Sequence, residues 1–214
     1  PMVRQRDGLR NVLKNKDTQE TIVETLENNV RFCMYPEGTH RTKHSLQVLG
    51  KGAFRAALAA NEKFGDKKPI YIVPVGIEYG DFFRYRSTSL LTYGNPLNVT
   101  EFIKSLNVET EAQTIEPLRK ELVSRMDKLF TYIPDGNDLK EKWVLTKMLS
   151  IASSRKPYGN FGTCLYDSMM HNREIIGSIE NAAVRHSEKM ENLLKRVWDL
   201  HLLQVLQWEH VQET

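Results

Sequence analysis

The sequence predicts an α/β fold: a mixed, largely parallel sheet flanked by helices, followed by a C-terminal helical appendage. Two observations carry this expectation. The first half alternates stretches of helical apolar spacing with short runs of β-branched and aromatic residues, a helix, strand, helix, strand rhythm. Within it, Pro69-Ile70-Tyr71-Ile72-Val73-Pro74-Val75-Gly76-Ile77 is almost continuously apolar, as expected of a strand covered on both faces.

The elements follow in order. Ile22, Val23 and Leu26 recur at helical spacing between Asp17 and Val30, with Asp17 or Thr18 as N-cap. Arg31-Phe32-Cys33-Met34-Tyr35 reads as a short buried strand stopped by Pro36, and a polar loop runs from Glu37 to about Ser45. Gly50 to Phe64 is a helix, with Phe54, Ala57, Leu58 and Ala60 on adjoining turns and Gly65 ending it. After the apolar strand at 69–77, Ser89 to Tyr93 is a weaker strand ended by Gly94-Asn95-Pro96. Thr110 to Phe130 is a helix with Ile115, Leu118, Leu122, Met126 and Leu129 on one side. Turn clusters at Pro134-Asp135-Gly136-Asn137 and across Ser153 to Gly162 mark a boundary, so the expected division is a core of residues 1–134 and a helical region of 135–214. Tyr166 to Thr214 reads as two helices broken near His186-Ser187; Leu200 to Val211 is apolar on more than one helical face and is read as packed, an interfacial or partner-binding helix being the alternative.

Composition narrows the function classes. Of 214 residues, 40% are hydrophobic and 27% charged, which excludes disorder for most of the chain. The net charge of +3 suits an anionic small molecule or membrane surface and falls far short of a dedicated nucleic-acid binder. Cys33 and Cys164 make no disulfide framework and match no zinc spacing, so a reducing compartment is expected. The sequence holds no apolar run of the ~18 residues that span a bilayer. The Gly-x-Ser-x-Gly elbow, the Gly-x-x-x-x-Gly-Lys loop and the Gly-x-Gly-x-x-Gly fingerprint are absent. His40 and His44 stand four apart among cationic neighbours, a poor setting for a metal, and none is expected.

The chemistry-bearing segment is Tyr35-Pro36-Glu37-Gly38-Thr39-His40-Arg41-Thr42-Lys43-His44-Ser45. It gathers a carboxylate, hydroxyls, Arg41, Lys43 and imidazoles just after a predicted strand, where open α/β sheets place ligands. Arg and Lys there match a phosphate, and the helix starting near Gly50 can aim backbone N–H groups at the same anion. A solvated charged loop is the plain alternative.

Tyr35-Pro36-Glu37-Gly38-Thr39 resembles the Phe-Pro-Glu-Gly-Thr-Arg-Ser block of the glycerol-phosphate and 1-acylglycerol-3-phosphate acyltransferase family. Ile72-Val73-Pro74-Val75-Gly76, Tyr93-Gly94-Asn95-Pro96-Leu97 and Val3-Arg4-Gln5-Arg6-Asp7 resemble three further blocks in the correct order, together covering about residues 1 to 130. The resemblance implies acyl transfer from acyl-CoA or acyl carrier protein, as co-substrate, to the hydroxyl of 1-acylglycerol-3-phosphate or a related glycerol-phosphate in phospholipid synthesis. It implies no cofactor, and a location at the cytoplasmic face of a membrane, peripheral to it. The acceptor clamp would comprise Arg6, Glu37, Gly38, Thr39 and Arg41, with Arg4 as an alternative to Arg6, two residues away on the same strand face.

Two departures matter. The family writes Arg directly after Thr, whereas His40 intervenes here, so Arg41 acts from a shifted position or shares the task with Lys43. The family's catalytic His-x-x-x-x-Asp has no counterpart: no His in the sequence has Asp five residues later. The base that takes the acceptor's hydroxyl proton is thus missing, and the chain is expected to be an N-terminally truncated core, inactive or very weak. Glu37 reads as a loop organiser and acceptor contact, Pro74 as a strand-shaping residue, and Asp81 to Arg86 as an aromatic loop, a lining for the acyl chain being the alternative. A non-catalytic anionic-lipid-binding protein, recruiting a partner through Leu200 to Val211, is the second reading; a different transferase on the same scaffold is the third.

Overall fold

The computed structural model describes residues 14–38, 43–65, 67–81, 85–106, 110–153 and 164–212. In order these form α1 (Lys14–Glu27), α2 (Lys51–Phe64), β1 (Tyr71–Ile72), β2 (Val75–Tyr79), β3 (Ser89–Tyr93), β4 (Leu97–Asn98), α3 (Val99–Leu106), α4 (Glu111–Met126), α5 (Leu139–Ser153), α6 (Leu165–Arg185) and α7 (Ser187–Gln212). Two compact units emerge. The first draws on the described residues of Pro1–Arg41, Gln47–Gly76 and Thr92–Leu129, the second on those of Thr42–Leu46, Ile77–Leu91 and Phe130–Thr214.

In the first unit the apolar stripes do what their spacing predicts. Ile22 and Val23 of α1, Phe54, Ala57 and Ala60 of α2 and Ile115, Leu118 and Leu122 of α4 are all buried. Burying one such aliphatic or aromatic side chain contributes about 1.5–3 kcal/mol before entropy is charged against it. Ion pairs at the margins, Arg55 to Glu111 and Lys63 to Glu27, are half-exposed and add little. Thr100 does more: its hydroxyl accepts from the Ile70 backbone N–H at 3.1 Å and donates to Asn61 Oδ1 at 2.7 Å, so one oxygen of α3 holds both α2 and the residue that leads into β1.

The strands depart from expectation. The sheets are two small antiparallel pairs, β1 with β4 and β2 with β3, and among the described residues the expected parallel pairing is not seen. The apolar run at 69–77 is divided, because Val73 and Pro74 fall between β1 and β2, and proline lacks the N–H that a ladder needs. It is also covered on one face only: Ile70, Pro74, Gly76 and Glu78 are buried while Tyr71 and Val73 are about half-exposed. That alternation is the period-2 signature of a half-buried strand. Residues 31–35, expected as a buried strand, join no sheet, and Val30, Phe32 and Tyr35 are exposed. Their apolar character was the whole of the sequence signal, and apolar character alone supplies no pairing partner.

The family-like blocks at 72–76 and 93–97 meet inside this unit. The Gly94 N–H donates to the Pro74 carbonyl at 2.9 Å. A Cβ on Gly76 would stand 2.5 Å from the Leu129 carbonyl oxygen and Cβ, and one on Gly94 would stand 2.9 Å from Pro74 Cγ and 3.0 Å from Leu129 Cδ1. Both glycines exist because backbone and Leu129 approach too closely for any side chain.

The second unit is built around three helices. Leu145 of α5, Ile179 of α6 and Leu194 and Val197 of α7 form one cluster, and Ile133, Leu139 and Ile176 form another with Trp143 packed against it. Lys142 lies nearly buried on α5, its Nζ 3.1 Å from Asp138 and 2.8 Å from Glu180. Burial opposes its charge, but the carboxylates of Glu180 and Asp138 outweigh it and raise the ammonium's pKa above the ordinary value. The break near His186-Ser187 falls where the sequence places it, between α6 and α7. Helix α3 had no sequence-based expectation, and α5 none beyond the helical region expected over 135–214; Asn98, whose Oδ1 accepts from the Glu101 N–H at 3.2 Å, caps α3.

Two glycine substitutions should separate. Gly76→Ala is expected to destabilise by about 1–3 kcal/mol through overpacking on Leu129. Gly177→Ala, where a Cβ meets nothing within 4 Å, should stabilise α6 by about 0.5–1 kcal/mol. Urea unfolding midpoints check both; equal shifts would contradict the close approach.

Candidate functional site

The candidate site is the loop that leaves Tyr35 and returns to α2. Its opening turn is fixed locally: the Gly38 N–H donates to the Tyr35 carbonyl at 3.1 Å, and Gly38 sits at φ 69°, the left-handed region where a Cβ is penalised. The returning limb is tied to the departing one twice. The Gly50 N–H donates to the Pro36 carbonyl at 2.7 Å, and the Gln47 N–H donates to Glu37 Oε2 at 3.1 Å. Glu37 is thereby a loop organiser, as its sequence context suggests, its carboxylate engaged by backbone.

The end of that limb opens α2 at Lys51, with Gly50 as an N-cap that makes no side-chain cap hydrogen bond. The helix start thus lies beside Pro36 and Glu37, bringing backbone N–H groups to the neighbourhood of the Glu37-Gly38 turn. A Cβ on Gly50 would stand 3.2 Å from the Pro36 carbonyl, which keeps this junction tight.

Of the five residues expected in the acceptor clamp, Glu37 and Gly38 are brought together here. Arg6, Thr39 and Arg41 lie outside the described residues, as do Arg4 and His40. Lys43, considered as a partner of Arg41, has its Nζ 3.6 Å from Asp135 Oδ1 with both side chains well exposed, a pair that holds the lysine only weakly. Pro74 has the shaping role expected of it, through the Gly94 hydrogen bond. In the segment 81–86, the Asp81 N–H donates to Ser87 Oγ at 2.7 Å and Tyr85 is exposed; Phe82 to Arg84 lie outside the described residues.

The second unit contains a polar cluster that sequence reasoning missed. The His44 ring stacks on Trp143 of α5 with centroids 3.6 Å apart and planes 30° from parallel. The Ile133 N–H donates to the His44 carbonyl at 2.6 Å. Glu78, buried on β2, accepts from the Thr131 N–H at 2.7 Å through Oε2. Lys147 places its ammonium 4.5 Å from the centre of the Trp143 ring. Burial pushes the His44 imidazole down to a pKa of about 4, the positive charge of Lys147 adds to the fall, and the hydrogen bond to the Thr131 backbone acts the other way. Burial pushes the Glu78 carboxyl up, opposed by its Thr131 hydrogen bonds and by Lys147. His44 is therefore neutral near pH 7, and this imidazole adds no positive charge to the loop. The available signal for Glu78 was parity: it shares a strand face with Pro74 and Gly76, and a carboxylate on the covered face requires a partner. No sequence pattern announced Trp143 as the partner of His44.

Comparison with known proteins follows this geometry. Residues 2–78 match the family model described as Acyltransferase, a span that includes the Tyr35 to Thr39 and Ile72 to Gly76 blocks. The acyltransferase resemblance holds. The chain is also similar to glycerol-3-phosphate O-acyltransferase 2 of Saccharomyces cerevisiae, 24% identical over 127 residues. That alignment takes in 59% of this chain and 17% of the yeast protein, so the chain spans a small part of the relative it matches. No solved structure matches the chain. This acyltransferase-like segment thus contains the Glu37-Gly38 turn, while the block at 93–97 lies beyond it. Among the described residues, no group of three or more metal-ligating side chains occurs, and no helix is long and apolar enough to cross a membrane.

The imidazole gives a pH prediction. An unfolded His44 takes a proton below about pH 6.5 and the folded one only near 4, so the unfolded state binds more protons between them. Stability supplied by neutral His44 is present above 6.5 and lost as pH falls towards 4, by up to about 3 kcal/mol, less what residual water contact screens. Glu78, with its raised pKa, acts in the opposite sense, so the comparison is between wild type and His44→Gln. The variant should lose less stability on going from pH 6.5 to 4 in urea titrations; parallel losses would contradict the buried neutral ring.

Proposed function

We propose that this chain belongs to an enzyme that moves an acyl group from an acyl thioester, of CoA or of acyl carrier protein, to the hydroxyl of 1-acylglycerol-3-phosphate or a related glycerol-phosphate. The observation that carries the reading is the closed Pro36–Gly50 loop, whose Glu37-Gly38 turn lies beside the uncapped start of α2 within the acyltransferase-like segment. The yeast relative's name, glycerol-3-phosphate O-acyltransferase, supports a glycerol-phosphate acceptor. In this reading Arg6, Glu37, Gly38, Thr39 and Arg41 hold the acceptor phosphate and glycerol, residues 1–134 are the acyltransferase core, and residues 135–214 are the helical region.

The chemistry defines the roles. The acceptor hydroxyl attacks the thioester carbonyl, its proton passes to a base, and the thiol leaves. Arg41 supplies two parallel donors for phosphate, and the N–H groups opening α2 add to the anion's stabilisation. Glu37 is read as a loop organiser and acceptor contact, its carboxylate accepting from the Gln47 N–H and keeping the turn in shape. The His-x-x-x-x-Asp pair that supplies the base in this family does not occur within residues 1–214. These residues alone therefore bind the acceptor without turning it over. No metal or other cofactor enters, and the lipid nature of acceptor and product places the chemistry at the cytoplasmic face of a membrane, the protein peripheral to it.

A second reading shares that missing base: a protein that grips an anionic lipid headgroup and recruits a partner through Leu200 to Val211. The two readings part on thioester dependence of the protein in which this segment works.

Calorimetric titration with sn-glycerol 3-phosphate tests the clamp. Arg41→Ala and Glu37→Ala should each weaken binding roughly tenfold or more, the size expected when a charge-assisted hydrogen bond or its support is removed. Unchanged affinity in both variants sinks the assignment. Incubation of the 214-residue chain with acyl-CoA and acceptor should release no thiol above background; turnover by this chain would show that a base other than the family's operates.

A further inference from the structure

We infer that the end of the second unit where α5 stops and α6 starts is a lipid-docking surface, seating Ile151, Tyr166 and their apolar neighbours in the headgroup layer of a bilayer. The choice of occupant rests on the acceptor reading above, since that acceptor is an amphiphile held in a bilayer.

The two helices run antiparallel, and two side-chain contacts show which ends meet. Lys142 Nζ stands 2.8 Å from Glu180 Oε1 at one end, and Ser153 Oγ stands 2.7 Å from His171 Nε2 at the other. Among the described residues, α5 and α6 expose six large apolar side chains: Met148, Leu149, Ile151, Tyr166, Met170 and Val184. Five of them fall at the Ser153–His171 end. There Met148 and Ile151, three apart, share one face of α5, and Tyr166 and Met170, four apart, share one of α6. Val184 stands by itself near the other end. Leu145 and Ile176, on the same helices, are already buried in the unit's two apolar clusters. The exposed set is what these helices leave over once their core is filled, and its gathering at one end sets it apart from apolar residues scattered singly on a surface.

Area and charge point to a bilayer. At about 200 Å² for a large side chain and about half of it exposed, the five present on the order of 500 Å². A stable protein partner covers ~800 Å² on each side, whereas a bilayer needs no matching surface. Tyr166 carries a polar tip on an aromatic body, the build of a side chain that sits at a membrane's polar boundary. The charges at this end have both signs, Lys147 and Arg173 against Asp167 and Glu174. Such a rim matches zwitterionic headgroups and calls for no anionic lipid, so the contact gains from apolar burial and little from net charge.

Flotation of the 214-residue chain with phosphatidylcholine vesicles reads the contact. Ile151→Gln and Tyr166→Gln change exposed residues outside both apolar clusters, and Val184→Gln, at a position 86% exposed, is the control. The wild-type chain should float with the vesicles, and equally so at about 0.1 M and about 1 M salt, where the screening length falls from about 10 Å to about 3 Å. Ile151→Gln and Tyr166→Gln should each weaken the partition about tenfold, the loss expected when one large side chain no longer leaves water. Val184→Gln should match wild type. A wild-type chain that does not float overturns the docking surface. Uptake undiminished in Ile151→Gln and Tyr166→Gln places the contact elsewhere and overturns it too, as does an equal loss in all three variants. Light scattering tests the rival occupant: a dimer that Ile151→Gln and Tyr166→Gln break, without vesicle uptake, gives this end to a second copy of the chain and overturns the lipid. Titration with sn-glycerol 3-phosphate stands apart, because absence of binding there removes the acceptor reading and leaves the vesicle result as measured.

Discussion

The tightest constraint in the first unit is a place where the chain has no room. At Gly76 and Gly94 the backbone passes so close to Leu129 that a single methyl group would collide, and the hydrogen bond from Gly94 to Pro74 locks the crossing. The family-like blocks at 72–76 and 93–97 meet at this crossing, far apart in sequence and bonded in space. Their residues act through shape: two glycines that permit approach and a proline that ends one short strand before the next begins. Thr100 extends the same logic a few residues on, where one hydroxyl serves the approach to a strand, a helix start and an asparagine of a third element.

The candidate site depends on a different economy of contacts. Glu37 is a carboxylate placed among cations in sequence, a setting that suggests charge chemistry. Its observed bond is to a backbone N–H, and that bond decides the loop's width. In the second unit, His44 surrenders its charge to packing. In both, a titratable side chain of a polar segment is spent on shape: one bonds a backbone N–H, the other stacks on a packed indole.

Legibility followed the physical origin of each feature. Helical stripes were readable because one face must be buried at every third or fourth residue: Ile22, Phe54, Leu118 and Leu122 fall where their spacing places them. The break between α6 and α7 was readable as well. Residues 31–35 misled because apolarity reports a tendency to be buried and says nothing of which strand lies alongside. The 69–77 run misled for a related reason, since its exposed tyrosine and valine are as apolar as its buried neighbours, and only the alternation in the structure separates them. Within the site, Glu37 and Gly38 were legible from the family-like block. Trp143 was not, because a contact between residues 44 and 143 leaves no periodic trace in either segment.

The stretch at 31–35 has a consequence of its own. It pairs with no strand among the described residues, and Phe32 and Tyr35 within it and Val30 just before it are exposed. An exposed apolar segment of this kind is a place where another chain can associate, and Arg31 stands inside it as a single gatekeeping charge. Association through this segment should grow with concentration and ionic strength, because high salt screens the arginine and leaves the apolar contacts intact. Handling at low concentration and low salt follows from the geometry of five residues.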